Sequence, residues 1–352
     1  MSDNIYPQNL NVEIISSSNV CDINVLSWEK LACHSKYVNP YYEHWNLIPA
    51  ITHLSKNKEI KIITVFDKNI LVALFPIEIS RRVFPSSFKL WQHPHCYDSS
   101  PLILNNINFD TIIELALHKL NAQYCQINLH QGELFHSKSN RFSHAYQRAY
   151  INETSELNRV KNSGKLFREN SRLLRILNKD YELHYIEHND AIKGIQEYAE
   201  LESHSWKMST GGAIYSRIET KQYYQALAKN GDKLKNFHFQ KLKANNKTIA
   251  MAMRIESRDC FFEIKTSFHN DFKKYAPGKI LEFKILESLS HLNNICVDSC
   301  THHDNALINR LWPNKKVFYR STVFSSQLKS KIFKFAYMIK RLHQRYSINF
   351  HV

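Results

Sequence analysis

"SFHNDFKKYAPGKILEFKIL", residues 267–286, ends a β-rich run, passes through Pro277-Gly278 and opens a stretch of helical periodicity. Glycine is scarce in this chain, seven of 352 residues, so a glycine at the handover from strand to helix marks a place where something comes close to the backbone. A helix start presents unpaired N–H groups and a partial positive charge, which suits it to phosphate. Gly278 removes the Cβ that would hold a phosphate off, and Pro277 fixes the turn before it. An ordinary strand-to-helix turn would read the same way from this dipeptide alone.

Working outward, the stretch is preceded by a strand, "CFFEIKTSF", and by a hairpin, "NFHFQKLKANNKTIAMAMRIES", whose Asn and Lys turn residues divide two β-rich runs. After the helix come the strands "ICVDSC" and "KVFYRSTVF". The first half repeats this order: "IKIITVFDKNILVALFPIEIS" is its hairpin, "FKLWQHP" a strand, "FDTIIELALHKL" a helix, "YCQINLH" and "AYQRAYI" the closing strands. Each half also opens with a strand and helices, "NVEIIS" then "DINVLSWEKLACHS", and "YELHYIEH" then "DAIKGIQEYAELESHSW". A strand, helices, an antiparallel hairpin, then strand, helix, strand, strand, given twice, predicts an α+β (α/β mixed sheet) fold in tandem. The expected boundaries are 1–154, a basic linker helix over 155–180, a second unit over 181–325 and a basic amphipathic helix over 326–352. The first half's loop "HPHCYDSSPLILNNINFD" has no glycine, so phosphate binding is expected in the second half.

Composition narrows the function classes. An apolar fraction of 43% with mixed charges fits globular cores and excludes collagenous or wholly disordered chains. With 47 Lys plus Arg against 32 Asp plus Glu, the formal charge of +15 favours an anionic partner. No apolar run spans a bilayer, and the start lacks the blocks of a signal peptide, so a cytoplasmic protein is expected. The seven cysteines form no C-x-x-C pair and are expected to be reduced. His93, His95, His302 and His303 sit in no metal-site motif, and no G-x-S-x-G elbow marks a hydrolase.

Several segments resemble a known family. "ELESHSWKMSTGGAIYSR", "NKTIAMAM", "KTSFHNDFKKYAPGKILEFKIL" and "VDSCTHHDNALINRLWPN" are similar to the motifs of FemAB-like and CelD-like acyltransferases, which carry the GNAT (acetyltransferase) fold twice. The resemblance implies an N-acyltransferase acting in envelope or polysaccharide assembly. Its donor would be acyl-CoA, such as acetyl-CoA, or an acyl carrier protein; its acceptor would bear an amine. With no metal-site motif around the histidines, no metal is expected. The resemblance places Tyr275, Pro277, Gly278 and Lys279 at the cofactor and Trp206 and Lys207, with Gly211 and Gly212, at the acceptor. The usual loop has a second small residue where this chain has Ile280. Two other readings stay open: a FemAB-type transferase using aminoacyl-tRNA, and a non-catalytic binding module on a degenerate fold.

Acyl transfer to an amine needs a base, donors for the carbonyl oxygen and an acid for the leaving thiolate. Strand alternation puts Glu263, Lys265 and Ser267 on one face of "FFEIKTSF". Glu263 is the expected base, Lys265 its partner or a substrate clamp, and Tyr275 the acid; a plain Glu263–Lys265 ion pair is the structural alternative. Asp298, on the neighbouring strand, is expected to reach the same cleft. In "SELNRVKNSGKLFRENSRLLRILNKD", Lys161, Lys165, Arg168, Arg172, Arg175 and Lys179 form a basic rail opposite Leu166, Phe167, Leu173, Leu174 and Leu177. Lys165, Arg168 and Arg172 are candidate contacts to an anionic substrate such as tRNA. The C-terminal basic helix is expected to dock on its own domain or on an anionic membrane surface at the inner face.

Overall fold

The computed structural model describes residues 10–80, 85–130, 143–152, 164–292, 295–301, 305–312 and 314–326. Lys161, His302, His303 and the helix expected beyond residue 326 lie outside them. The first-half strands are β1 (Leu10–Ser16), β2 (Glu59–Asp67), β3 (Ile70–Ile79), β4 (Ser87–Leu90), β5 (Leu102–Ile103), β6 (Tyr124–His130) and β7 (Ser143–Ile151). Those of the second half are β8 (Leu183–His188), β9 (Phe237–Ala244), β10 (Lys247–Ser257), β11 (Cys260–Phe268), β12 (Cys296–Asp298) and β13 (Asn314–Phe324). Helices α1 (Val25–His34), α2 (His44–Leu54) and α3 (Phe109–Lys119) belong to the first half. The second contributes α4 (Gly164–Asp180), α5 (Ala191–Ser203), α6 (Trp206–Ser209), α7 (Ile218–Leu234), α8 (Pro277–Leu289) and α9 (Ala306–Leu311).

The chain forms two compact units. One takes residues up to Tyr42, Ser55–Ala145 and the chain from Phe318; the other takes Glu43–Leu54 and Tyr146–Val317. In the first unit β1, β2, β3 and β4 pair antiparallel in that order, β6 lies parallel to β4, and Phe318–Phe324 of β13 pairs antiparallel with β6. In the second, β8, β9, β10 and β11 pair antiparallel, β12 lies parallel to β11, and β7 pairs antiparallel with β12. The repeat read from the sequence is thus present in pairing as well as in order. Each unit closes on the last strand of the other half of the chain. "AYQRAYI" and "KVFYRSTVF" share one β-branched and aromatic character, so local pattern does not choose between the two partners.

Turn chemistry sets the hairpins. Lys68 and Asn69 at φ 56° and 94° join β2 to β3, and Asn245 at φ 51° joins β9 to β10. The centres of β3 and β10 are buried over seven consecutive residues, as central strands covered on both faces should be. Helix starts are capped from the sequence: Asn24, Asn108, Asp190 and Asn305 each accept an N–H from three residues on. Pro49 inside α2 cannot donate to the Trp45 carbonyl, and Asn230 of α7 supplies that bond at 2.7 Å. Tyr223 Oη donates to Asn46 Oδ1 of the same helix at 2.7 Å.

Two glycines are required by packing. A Cβ at Gly194 of α5 would lie 2.3 Å from the Phe239 ring, and one at Gly231 of α7 would lie 2.2 Å from Phe237. Both helices therefore sit directly on the aromatic residues of β9. On α4, Leu166, Leu173 and Leu177 pack into the core cluster with Ile280, Leu281 and Ile285 of α8. Phe167, expected on that packed side, is half exposed at 51%.

One expectation about cysteine is overturned: Cys260 and Cys296 form a disulfide. They are directly opposite in the parallel β11–β12 register, with Cα atoms 4.6 Å apart, within bonding reach. Cys21, Cys33, Cys96, Cys125 and Cys300 are free thiols.

Candidate active site

The central feature is a bulge in β11. Arg254 of β10 pairs with Glu263, while its neighbour Met253 pairs with Lys265, so Ile264 is the extra residue of the bulge in the β10–β11 register. Because Met253 and Arg254 point to opposite faces, so do Lys265 and Glu263. This corrects the single-face reading of "FFEIKTSF". Strict alternation fails wherever one strand gains a residue, and nothing in the eight letters marks the place.

On the α5 face, three charges meet. Glu202 of α5 is fully buried, and its carboxylate accepts the Ile214 N–H at 2.6 Å and the Tyr198 hydroxyl at 3.4 Å. Lys207 Nζ stands 3.3 Å from Glu202 Oε1, donates to the Thr266 carbonyl at 2.7 Å and reaches Tyr198 Oη at 3.3 Å. Lys265 Nζ stands 3.8 Å from the same Glu202 oxygen. Two ammonium groups thus share one carboxylate in a nearly dry site, with Lys265 the more loosely held. Burial lowers both lysines against the pull of Glu202, and Lys265, further pressed by Lys207, falls to about 8. Ser267 is on the same face; its Oγ is buried and has no hydrogen-bond partner among the described residues. Trp206, 52% exposed, and Met208, 50% exposed, stand beside Lys207 in α6, so the tryptophan is not a core residue.

The α8 face is different. Glu263 and Glu282 of α8 are both buried, at 6% and 2% exposure, with the Arg254 guanidinium between charges. Thr266 Oγ1 donates to Glu263 Oε1 at 2.8 Å, Trp312 Nε1 to Glu282 Oε1 at 2.8 Å, and Arg254 Nε to Gln240 Oε1 at 2.9 Å. Glu263 Oε2 meets no N–H or O–H donor unless its neighbour Glu282 carries a proton. Burial and the Glu263 charge raise Glu282 well above the usual carboxylate value, which favours one proton shared by the pair. Burial also raises Glu263, against Arg254.

Asp298 forms a third centre. Arg148 Nε and Nη2 donate to its two oxygens at 2.6 Å each, Lys316 Nζ stands 3.2 Å away, and the Cys300 N–H adds 3.0 Å. Arg148 and Lys316 hold Asp298 far below the usual carboxylate range despite its complete burial. Those partners are not the charged groups around Glu263 or Lys265.

The opening loop has its own geometry. Ala276 adopts the left-handed conformation, φ 49°, and α8 follows with Pro277 in its first turn. A Cβ at Gly278 would meet only the Phe268 ring at 3.6 Å, so the space before it is open within the protein. The Ile280 side chain is fully buried in the core, away from the open space before Gly278. The Lys279 N–H turns back to the Ala276 carbonyl at 2.9 Å, and Lys279 Nζ pairs with Glu169 of α4 at 2.8 Å. Tyr275 Oη donates to Asp180 Oδ2 at 2.7 Å. The residues that fit a pyrophosphate are therefore Gly278, by its open approach, and the dipole of α8; Lys279 and Tyr275 are tied to α4. His93, in the first unit, is buried beside Trp91 at 5.4 Å. Among the described residues no group of three His, Cys, Asp or Glu could hold a metal, and no helix is long and apolar enough to cross a membrane.

Of the residues singled out from the sequence, Lys265, Lys207 and Trp206 come together, and Glu263, Asp298 and Tyr275 lie in three other places. Glu202, Tyr198 and Glu282 were missed. Their signal is a charged or hydroxyl residue on the apolar face of an amphipathic helix: Tyr198 and Glu202 follow Ile195 at helical spacing, and Glu282 stands between Leu281 and Ile285.

A six-strand mixed sheet with one parallel pair, a bulged fourth strand and a helix opening at a glycine is the architecture of the acetyltransferase class. The family model described as acetyltransferase (GNAT) domain matches residues 164–305. Solved structures resemble nearly the whole chain. A conserved protein of unknown function from Bacteroides thetaiotaomicron shares 12% identity with a TM-score of 0.56, over 86% of this chain and 98% of that one. The C-terminal domain of a putative lysylphosphatidylglycerol synthetase from Agrobacterium fabrum shares 10%, with a TM-score of 0.56, over 92% and 97%. FemX shares 8%, with a TM-score of 0.53, over 84% and 96%. The chain carries the GNAT fold in tandem. No curated protein matches it.

Proposed function

We propose that the chain is an N-acyltransferase that moves an acyl group from a thioester, acyl-CoA or an acyl carrier protein, to an amine. In this reading residues 181–325 hold the chemistry, 1–154 are a degenerate copy and 155–180 link the two. The observation that carries it is Lys265, a lysine on the bulged strand loosely paired to Glu202 beside the exposed Trp206, where burial lowers its pKa to about 8. A thioester donor supplies an electrophilic carbonyl carbon when bound. Lys265, in its neutral form, takes a proton from the acceptor ammonium and passes it to solvent; the free amine then forms the C–N bond as the C–S bond breaks. The nitrogen gives up its second proton to Lys265, which delivers it to the leaving sulfur. Lys207, pinned by Thr266 and Tyr198, keeps its charge beside Lys265 and holds that amine's basicity down. Gly278 lets the donor's phosphates reach the start of α8. The roles expected of Glu263, Tyr275 and Asp298 pass in this reading to support of the strands that frame the site.

The test is direct: incubate the protein with acetyl-CoA and longer acyl-CoA thioesters against amino sugars, amino acids and polyamines, following free thiol and acylated amine together. Equimolar appearance of both supports transfer. Thiol release without acylated amine, or neither product, counts against it.

A further inference from the structure

The acyl donor's identity can be read further from α4. Its buried side is Leu166, Asn170, Leu173 and Leu177, while Lys165, Arg168, Arg172, Arg175 and Lys179 are all exposed. At about 100° per residue those five cations fall within an arc of about 80°, opposite the packed leucines, over a length of about 21 Å. The one acidic residue between them, Glu169, is engaged by Lys279 of α8 at 2.8 Å. That ion pair, with the Tyr275–Asp180 hydrogen bond, fastens both ends of α4 to the loop and first turn that carry Gly278. The basic arc is therefore built beside the proposed entry point of the donor. The large apolar side chain nearest the arc is Ile176, 37% exposed at its margin, and the exposed Phe167 lies well off it; this lacks the apolar wedge of a membrane-binding helix and the aromatic platform of a single-strand reader.

We propose that this face of α4 docks an acidic acyl carrier protein, whose carboxylates meet Arg168, Arg172 and Arg175 while its phosphopantetheine thioester reaches Gly278. This rests on the thioester-transfer reading and names its donor. Complementarity of this kind governs encounter rate and salt dependence more than contact area does.

The experiment uses the full chain, wild type and the triple variant Arg168→Glu, Arg172→Glu, Arg175→Glu, with Arg→Gln at the same positions as the milder form and melting curves for all three. Fluorescently labelled acyl carrier protein, in holo and acylated forms, is titrated by anisotropy at low and high salt. The expected result is salt-sensitive binding weakened at least tenfold by charge reversal and less by neutralisation. Transfer from free acyl-CoA should stay within twofold across all three proteins. Binding of the carrier that ignores the substitutions, or rail-dependent binding of an RNA duplex or phosphatidylglycerol vesicles without binding of the carrier, overturns the proposal. Failure of transfer from both donors with carrier binding intact would instead count against the thioester reading and leave the docking surface standing.

Discussion

Glu263 and Lys265, two residues apart on β11, face opposite sides of their sheet because the strand bulges at Ile264. The bulge sorts one short strand into a carboxyl pair under α8 and a lysine pair beside α6. Glu263 and Glu282 are buried; the lysines keep a small opening, with 18% of the Lys207 and 10% of the Lys265 side chain exposed next to Trp206. The following expectations separate the two roles.

Burial and the neighbouring Glu263 charge together raise the Glu282 carboxyl well above its usual value. An acid whose folded pKa is raised costs stability as pH climbs above its unfolded value, near 4.5, towards the folded one. Glu282→Gln keeps the Trp312 acceptor and donates to Glu263, so its melting temperature should match or exceed wild type at neutral pH and depend less on pH above 5. Glu282→Ala, which strands the Trp312 N–H and Glu263 Oε2, should melt lower by an amount typical of 2 kcal/mol or more, about that order.

The Asp298 centre predicts the reverse slope. A depressed carboxyl gives stability that is fully present above its unfolded pKa near 3.8 and is lost as pH falls towards the folded value. Asp298→Asn removes the carboxylate charge that Arg148 and Lys316 share, and equilibrium denaturation at neutral pH should register a loss of roughly 3–5 kcal/mol. A loss under about 1 kcal/mol would mean the cations find water instead.

Cys260–Cys296 closes a loop of 36 residues in sequence, and chain entropy gives such a closure about 4 kcal/mol. Thiol titration of the denatured, unreduced protein should find five free thiols, and reductant should lower the melting temperature. Seven titratable thiols would return the cysteines to the reduced state expected from their scatter.

Much of this was legible beforehand. Hairpin turns at Lys68-Asn69 and Asn245, the alternation of helices and strands, and the Pro277-Gly278 helix start are local signals, and local signals give the element order and the repeat. The exchange of β7 and β13 was not legible, since each strand satisfies the same two-period pattern in either sheet. Nor was the Ile264 bulge, which is fixed by how β10 and β11 register rather than by their letters. The disulfide needed that same register: 35 residues separate the two cysteines until the parallel pairing of β12 sets them side by side. The Glu202 cluster was half visible, through Lys207 and Lys265 but not the buried carboxylate that joins them.

Gly278 offers a steric test. Gly278→Val puts its side chain into space bordered only by Phe268, so the melting curve should hardly move. Calorimetry should find CoA binding weakened tenfold or more, about 1.4 kcal/mol. Undiminished binding would place the donor elsewhere on the chain.

The most direct measurement is the pH profile of kcat/KM for transfer to a saturable amine, in wild type, Lys265→Met and Lys265→Arg. With Lys265 near 8 in the folded protein, the wild-type rate should rise with pH and level off above that value, because only the neutral amine accepts a proton. Both variants should lose roughly a hundredfold or more and lose the inflection, while CoA affinity and folding are kept. A Lys265→Met enzyme that retains the wild-type rate, or the same inflection, would contradict the assignment of proton transfer to this strand face.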